Sequence, residues 1–157
     1  MTFVSVLDSP VGRLRIVSDG QAVIAIGRSE EAAGRPDAVS GEMKRQLAEY
    51  FRKKRTAFTV PVKLSGTPFQ KKVWHALQAV PYGSTVSYRD LALMAGYRRG
   101  WQAVGQAMSK SGLMIVVPAH RVIAADGSLG GWGDPADLAV KEYLLRLEGG
   151  WGLRDKE

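Results

Sequence analysis

Ser87-Tyr88-Arg89-Asp90-Leu91-Ala92-Leu93-Met94-Ala95-Gly96, followed after Tyr97-Arg98-Arg99-Gly100 by Trp101-Gln102-Ala103-Val104-Gly105-Gln106-Ala107-Met108, decides the fold of this chain. Ser87 can cap a helix, Asp90 completes a capping box, and Leu91, Ala92 and Met94 are apolar ahead of Gly96. The second segment is a further short helix, entered from two arginines. Two short helices joined by a tight connection suggest a helix-turn-helix. Ala103 and Ala107, with Gly105 between them, leave the second helix thin-walled. A thin wall suits close helix packing and equally suits a DNA minor groove, which is only about 6 Å wide. Spacing leaves both open, as two faces of one helix.

Upstream, Thr67-Pro68-Phe69-Gln70 is a compact helix start, with Thr67 as cap, Pro68 in the first turn and Gln70 closing the box. Phe69, Val73, Trp74, Leu77 and Val80 form its apolar stripe, and Pro81-Tyr82-Gly83 stops it. Downstream, Leu113-Met114-Ile115-Val116-Val117 reads as a buried strand that ends at the turn Pro118-Ala119-His120-Arg121. A Gly-rich loop over residues 127–133, with Trp132 in it, leads to a last helix. Asp134-Pro135 opens that helix, Leu138, Leu144, Leu145 and Leu147 are apolar, and Gly149-Gly150 ends it.

The N-terminal part has a different pattern. Phe3-Val4-Ser5-Val6-Leu7, Leu14-Arg15-Ile16-Val17 and Ala22-Val23-Ile24-Ala25-Ile26 predict a β-meander, with a turn at Ser9-Pro10-Val11-Gly12 and a hairpin at Asp19-Gly20. Residues 28–38 read as a loop. Ser40 is expected to cap a helix carrying Met43, Leu47, Tyr50 and Phe51, and residues 58–62 form a short strand or an extended linker. The fold class is α/β (α+β), in two domains, 1–64 and 65–157.

The chain has 157 residues, 45% hydrophobic and 24% charged, as in a soluble globular protein. No apolar run approaches the ~20 residues of a membrane span. No secretory leader is visible, so a cytoplasmic, nucleoid-associated placement is expected. There is no cysteine, which excludes disulfides and thiolate metal sites. His75 and His120 are the only histidines and lack spaced metal-ligand partners, so neither metal nor cofactor is expected. The net charge is +7, and between residues 71 and 110 Lys71, Lys72, Arg89, Arg98, Arg99 and Lys110 face only Asp90. That local excess suits a phosphate-tracking surface. Arg52-Lys53-Lys54-Arg55 reads instead as a solvated helix end. Taken singly, Tyr88, Trp101 and Trp132 default to core aromatics, His120 to a structural histidine, and Arg121 to an ion-pair partner for the last helix.

Five segments in order, namely Thr67-Pro68-Phe69-Gln70, Val86-Ser87-Tyr88-Arg89-Asp90-Leu91-Ala92, Ala103-Val104-Gly105, Pro118-Ala119-His120-Arg121-Val122 and Lys141-Glu142-Tyr143-Leu144-Leu145, resemble the 6-O-alkylguanine-DNA alkyltransferase family. The N-terminal meander resembles that family's first domain, so the resemblance covers nearly the whole chain. It implies an RNase H-like N-terminal domain and a winged helix-turn-helix-like C-terminal domain. In the family a cysteine stands where this chain has Ala119, and the closest resemblance is to the alkyltransferase-like proteins, which lack it. The resemblance implies that Tyr88 crowds a DNA phosphate and that the helix around Ala103 and Gly105 enters the minor groove. It places Tyr88, Val117, Pro118, Ala119, Ser111, Trp132 and Gly133 around an extruded base. His120 and Glu148 match the pair that, through a water, draws the proton from the thiol. Gln102 stands where the family usually has a base-replacing arginine, and Ser111 where it has an asparagine. Arg98, Arg99 and Arg121 join the DNA-contacting residues.

From these residues the leading expectation is a monomeric, non-enzymatic protein. It would bind duplex DNA containing 6-O-alkylguanine, hold the lesion without transfer and pass it to nucleotide excision repair proteins. The alternative is a methylated-DNA–protein-cysteine methyltransferase in which an engineered alanine replaces the cysteine. Two weaker ones are a hydrolase using His120 and Glu148, and a helix-turn-helix transcription regulator.

Overall fold

The computed structural model describes residues 1–129 and 135–151. They form two compact units, one of Met1–Leu64 with Gly112–Met114, the other of Ser65–Ser111 with the chain from Ile115 onward.

The first unit is built on an antiparallel meander of β1 (Phe3–Ser9), β2 (Gly12–Ser18) and β3 (Val23–Arg28), in that order across the sheet. Phe3 lies opposite Ser18, and Ile16 opposite Ile26. The Asp19 carboxylate folds the second reversal by accepting the N–H groups of Gln21 and Ala22, both at 2.9 Å. Helix α1 (Ala38–Phe51) packs on this sheet, burying Met43, Leu47 and Tyr50; Val4, Leu14, Ile16, Val23 and Ile26 of the strands are buried as well. Each such side chain withdrawn from water contributes roughly 1.5–3 kcal/mol. Gln46 fastens residue 59 to α1, donating to Thr59 Oγ1 at 2.7 Å and accepting its N–H at 3.0 Å.

Two sequence expectations change here, and one left between two readings is settled. The cap of α1 is Asp37, not Ser40: Asp37 accepts the Ser40 N–H at 2.8 Å. The Ser40 hydroxyl is consumed as the other half of the box and by Ser5 Oγ, 2.8 Å away. Residues 58–62 are an extended linker touching the sheet only by a parallel bridge between Val62 and Val23. The strand expected over residues 113–117 is not formed. Leu113 makes one bridge to Ile26, and then Ile115 turns to φ 72°, a left-handed conformation that no strand accommodates. The basic run after α1 is, as anticipated, a helix end, where Arg55 bonds Glu49 at 2.8 Å.

The second unit contains α2 (Pro68–Gln78), β4 (Val86–Ser87), α3 (Tyr88–Met94), α4 (Trp101–Met108), a 3₁₀ turn (Ala119–Arg121), β5 (Val122–Ile123) and α5 (Pro135–Glu148). Both anticipated capping boxes are present, Thr67 with Gln70 on α2 and Ser87 with Asp90 on α3. Val73, Trp74, Ala76 and Leu77 bury one face of α2, and Trp74 Nε1–H donates to the Ala107 carbonyl of α4 at 2.8 Å. Helices α3 and α4 are the helix-turn-helix pair. Gly100 starts α4 at φ 82°. Val104, Ala107 and Met108 are buried, whereas Trp101, Gln102, Ala103 and Gln106 are exposed. Of the three small residues on which spacing left two readings open, Ala107 is buried, Gly105 is half-buried against Tyr88 and Ala103 alone is exposed, so packing takes up most of the thin wall. Strands β4 and β5 pair in parallel, Val86 with Val122 and Ser87 with Ile123. No helix among the described residues is long and apolar enough to cross a membrane.

Candidate active site

The turn around residue 119 is set by its backbone. The Ala119 N–H bonds the Val117 carbonyl at 2.8 Å and the Arg121 N–H bonds the Pro118 carbonyl at 3.0 Å, after which β5 ties the chain to β4. This leaves Ala119 partly accessible and sends His120 and Arg121 inward, where both are buried. They converge on Glu148, the last residue of α5. His120 Nε2 lies 2.8 Å from Glu148 Oε2. Arg121 Nε donates to Oε1 at 2.8 Å and its Nη2 to Oε2 at 3.0 Å, a bidentate pair. The remaining Arg121 Nη1 donates to the Val80 carbonyl at 2.8 Å, just past the end of α2. The cation thereby also meets the negative end of that helix dipole. The three side chains are 5%, 8% and 1% exposed for His120, Arg121 and Glu148. Charges so buried persist only because each is paired and hydrogen-bonded.

Burial is the largest influence on His120 and pushes its pKa down; Glu148 works against it, and Arg121 and Lys141 add to the depression. The imidazole is therefore neutral at pH 7. A neutral ring has one donor and one acceptor nitrogen. With the Glu148 carboxylate accepting at Nε2, Nδ1 is left as the acceptor, a base directed by a fixed partner.

Tyr88, first residue of α3, packs its ring against α4 where Gly105 has no side chain: a Cβ there would stand 3.8 Å from Tyr88 Cδ1. Lys141 Nζ of α5 lies 5.8 Å from the same ring's centroid. Burial lowers the Lys141 ammonium to about 8. Sequence reasoning had no role for this lysine, although residues 141 and 148 are seven apart on α5 and so share its inward face. The helix stop at Gly83 is expected, but nothing local points to the contacts of the Val80 carbonyl and the Gly83 N–H with this cluster. Gly83 N–H reaches Glu148 Oε1 at 3.4 Å.

Of the other anticipated site residues, Val117 and Pro118 are buried beside Ala119, Ser111 is half-buried after α4, and Arg98, Arg99, Gln102 and Ala103 are exposed. Trp132 and Gly133 lie outside the described residues. Arg121 is corrected: all its polar contacts run to Glu148 and Val80, so its charge serves the protein interior rather than a phosphate. Among the described residues no group of three His, Asp or Glu could hold a metal ion.

A helix-turn-helix whose second helix exposes Trp101, Gln102, Ala103 and Gln106 shares its unit with a buried histidine–carboxylate–arginine cluster, the layout of a DNA-binding domain built beside a group able to accept a proton. Residues 68–150 match the DNA-binding domain of 6-O-methylguanine DNA methyltransferase, and residues 3–64 match that protein's ribonuclease-like domain. The chain belongs to this family. It is 34% identical to the constitutive methylated-DNA–protein-cysteine methyltransferase of Bacillus subtilis, over 94% of this chain and 96% of that one. It is 35% identical to the methyltransferase of the same name from Methanosarcina acetivorans, over 94% and 98%. The fold matches the crystal structure of Mycobacterium tuberculosis O6-methylguanine methyltransferase with a TM-score of 0.85 at 34% identity, over 100% of both chains. It also matches Mycobacterium tuberculosis OGT in complex with DNA, with a TM-score of 0.84 at 36% identity, over 94% of this chain and 92% of that one.

These relatives correct the expectation of a non-enzymatic protein and of a hand-off to nucleotide excision repair. Proteins alike over nearly their whole length carry an enzyme's name. Ala119 carries no thiol, yet His120, Arg121 and Glu148 beside it are fully assembled.

Proposed function

We propose that the chain is a methylated-DNA–protein-cysteine methyltransferase in which alanine has replaced the acceptor cysteine at position 119. The observation that carries this is the His120–Glu148 bond at 2.8 Å, buried next to residue 119. A depressed, neutral imidazole with its far nitrogen bonded to a carboxylate is what a thiol at 119 needs to become a thiolate. An alanine methyl has no use for it.

In this proposal the exposed face of α4, with Gln102 and Ala103 and with half-buried Gly105 at its edge, enters the minor groove, and Arg98 and Arg99 hold phosphates. Tyr88 helps to turn a 6-O-alkylguanine out of the duplex. The base enters a pocket lined by Tyr88, Ser111, Val117, Pro118 and residue 119. Extrusion costs a few kcal/mol, and less at a weakened pair, so the lesion is favoured. With cysteine at 119, the thiol proton passes through a water to His120. The thiolate forms the S–C bond as the O6–C bond breaks, and the guanine leaving as an anion recovers a proton. All these residues lie in one chain, so a monomer acting on the chromosome, in a nucleoid where there is no nucleus, is sufficient.

The test is transfer by the Ala119→Cys variant. With duplex DNA carrying a radiolabelled 6-O-methylguanine, label moves onto the protein with a stoichiometry approaching one. Adding His120→Gln slows it on the order of 100- to 10,000-fold, the usual size of a general-base effect. A folded, DNA-binding Ala119→Cys protein that takes up no label refutes the proposal.

A further inference from the structure

Among the described residues, five large hydrophobic side chains are exposed, and three of them, Leu93, Met94 and Trp101, belong to the helix-turn-helix. Trp101 is 42% exposed on the first turn of α4. An indole offered to water at a helix start contributes little to folding, so its exposure calls for a partner. The ring is not loose: the Arg89 guanidinium of α3 lies over it, 5.9 Å from its centroid. The surroundings select the partner. Arg89, Arg98 and Arg99 are all exposed beside it, and Asp90 is the single acid between Lys71 and Lys110. An aromatic plane rimmed by cations and adjoining the thin face of α4 complements a nucleic acid, whose stacked bases lie between phosphates.

We propose that Trp101 is the wedge of this DNA interface, its indole entering the base stack at the opened step while Arg89 steadies it from behind and Gln102 reaches a base edge. Apolar wedges inserted between base steps unstack and kink a duplex in this way. Trp101 thus becomes a positioning residue that keeps an extruded nucleotide from falling back, a role resting on the DNA-binding part of the proposed function. The neighbouring Leu93 and Met94 sit at the end of α3, outside the first turn of α4, and serve as the comparison.

The experiment uses the Ala119 protein and a duplex containing 6-O-methylguanine with 2-aminopurine as its neighbour. Affinity is read by anisotropy, unstacking by 2-aminopurine emission, and indole stacking by quenching of tryptophan emission. Trp101→Ala is expected to weaken binding roughly 5- to 150-fold, the measured worth of one base–aromatic stack. It should also abolish the 2-aminopurine rise and remove the quenched part of the tryptophan signal. Trp101→Phe retains most of the affinity, and Met94→Ala changes it less than about threefold. Trp101→Ala binding as tightly as the parent, with an unchanged 2-aminopurine rise, overturns the wedge and leaves the proposed function standing. A parent protein that does not bind the duplex overturns both.

Discussion

Leucine at Glu148, at Arg121 and at both together provides the sharpest test of the buried cluster. Glu148 is 1% exposed and accepts two bonds from Arg121 and one from His120. Removing either charge strands the other in a low-dielectric interior, which costs about 3–5 kcal/mol. For a unit of this size that is a fall in melting temperature of about 12 °C or more. The double variant strands neither charge. It loses the Arg121 bond to Val80 and the His120 bond to Glu148, each worth about 1 kcal/mol. The singles should therefore sum to roughly 6–10 kcal/mol while the double costs roughly 2–3, a coupling of at least about 3 kcal/mol. The four tryptophans, at 74, 101, 132 and 151, all belong to the second unit, so urea unfolding followed by tryptophan emission reports that unit alone. Arg121→Leu should be milder at pH 5.5 than at pH 8, because an imidazolium at His120 then compensates Glu148. A coupling below about 1 kcal/mol, the value for exposed pairs, would refute the account of the cluster as a buried unit.

Two further outcomes follow from the same geometry. Burial holds the His120 pKa below the usual value of about 6.5, so the unfolded chain binds the proton more tightly. The stability due to neutral His120 is complete above about pH 6.5 and is lost as pH falls through the folded pKa; His120→Gln should flatten this slope in urea midpoints taken from pH 7.5 to 5. A side chain at Gly150 would collide with the Gly83 backbone, which no rotamer relieves. Gly150→Ala should consequently cost more than the ~1 kcal/mol typical of point mutants, whereas Gly149→Ala, with open space but φ 81°, acts only through backbone strain.

Local chemistry made much of this protein readable before its structure. Thr67 with Gln70, Ser87 with Asp90, and Asp19-Gly20 each act within three or four residues, and all do what their side chains dictate. Failures arose where distant partners decide. Ser40 is a sound cap by itself, but the Asp37 carboxylate lies three residues upstream and Ser5 claims the hydroxyl. Residues 113–117 have strand composition, yet the one hydrogen-bonding edge available to them is Ile26, and Ile115 then leaves the extended region. Arg121 taken singly reads as an ion-pair partner for the last helix, and it is one; only the family resemblance places it on DNA, while its carboxylate stands 27 residues away and its carbonyl 41. An alanine at 119 is visible in one letter, whereas the assembled cluster of Val80, His120, Arg121 and Glu148 joins three separated segments and is seen only in the fold.

Those separations have a consequence for how the chain is made. The turn at residue 119 is held by Val80 behind it and by Glu148 ahead, and Gly83 meets Glu148 across 65 residues. Contacts this distant in sequence close late, after the loop entropy between them has been lost. During synthesis, α1 and the meander can fold as soon as they emerge, but the basic nitrogen of His120 has no carboxylate to orient it until α5 has left the ribosome. A product ending before α5 would therefore carry α3 and α4 without the His120–Glu148 and Arg121–Glu148 pairs. Position 119 acquires its chemical environment only once α5 is in place.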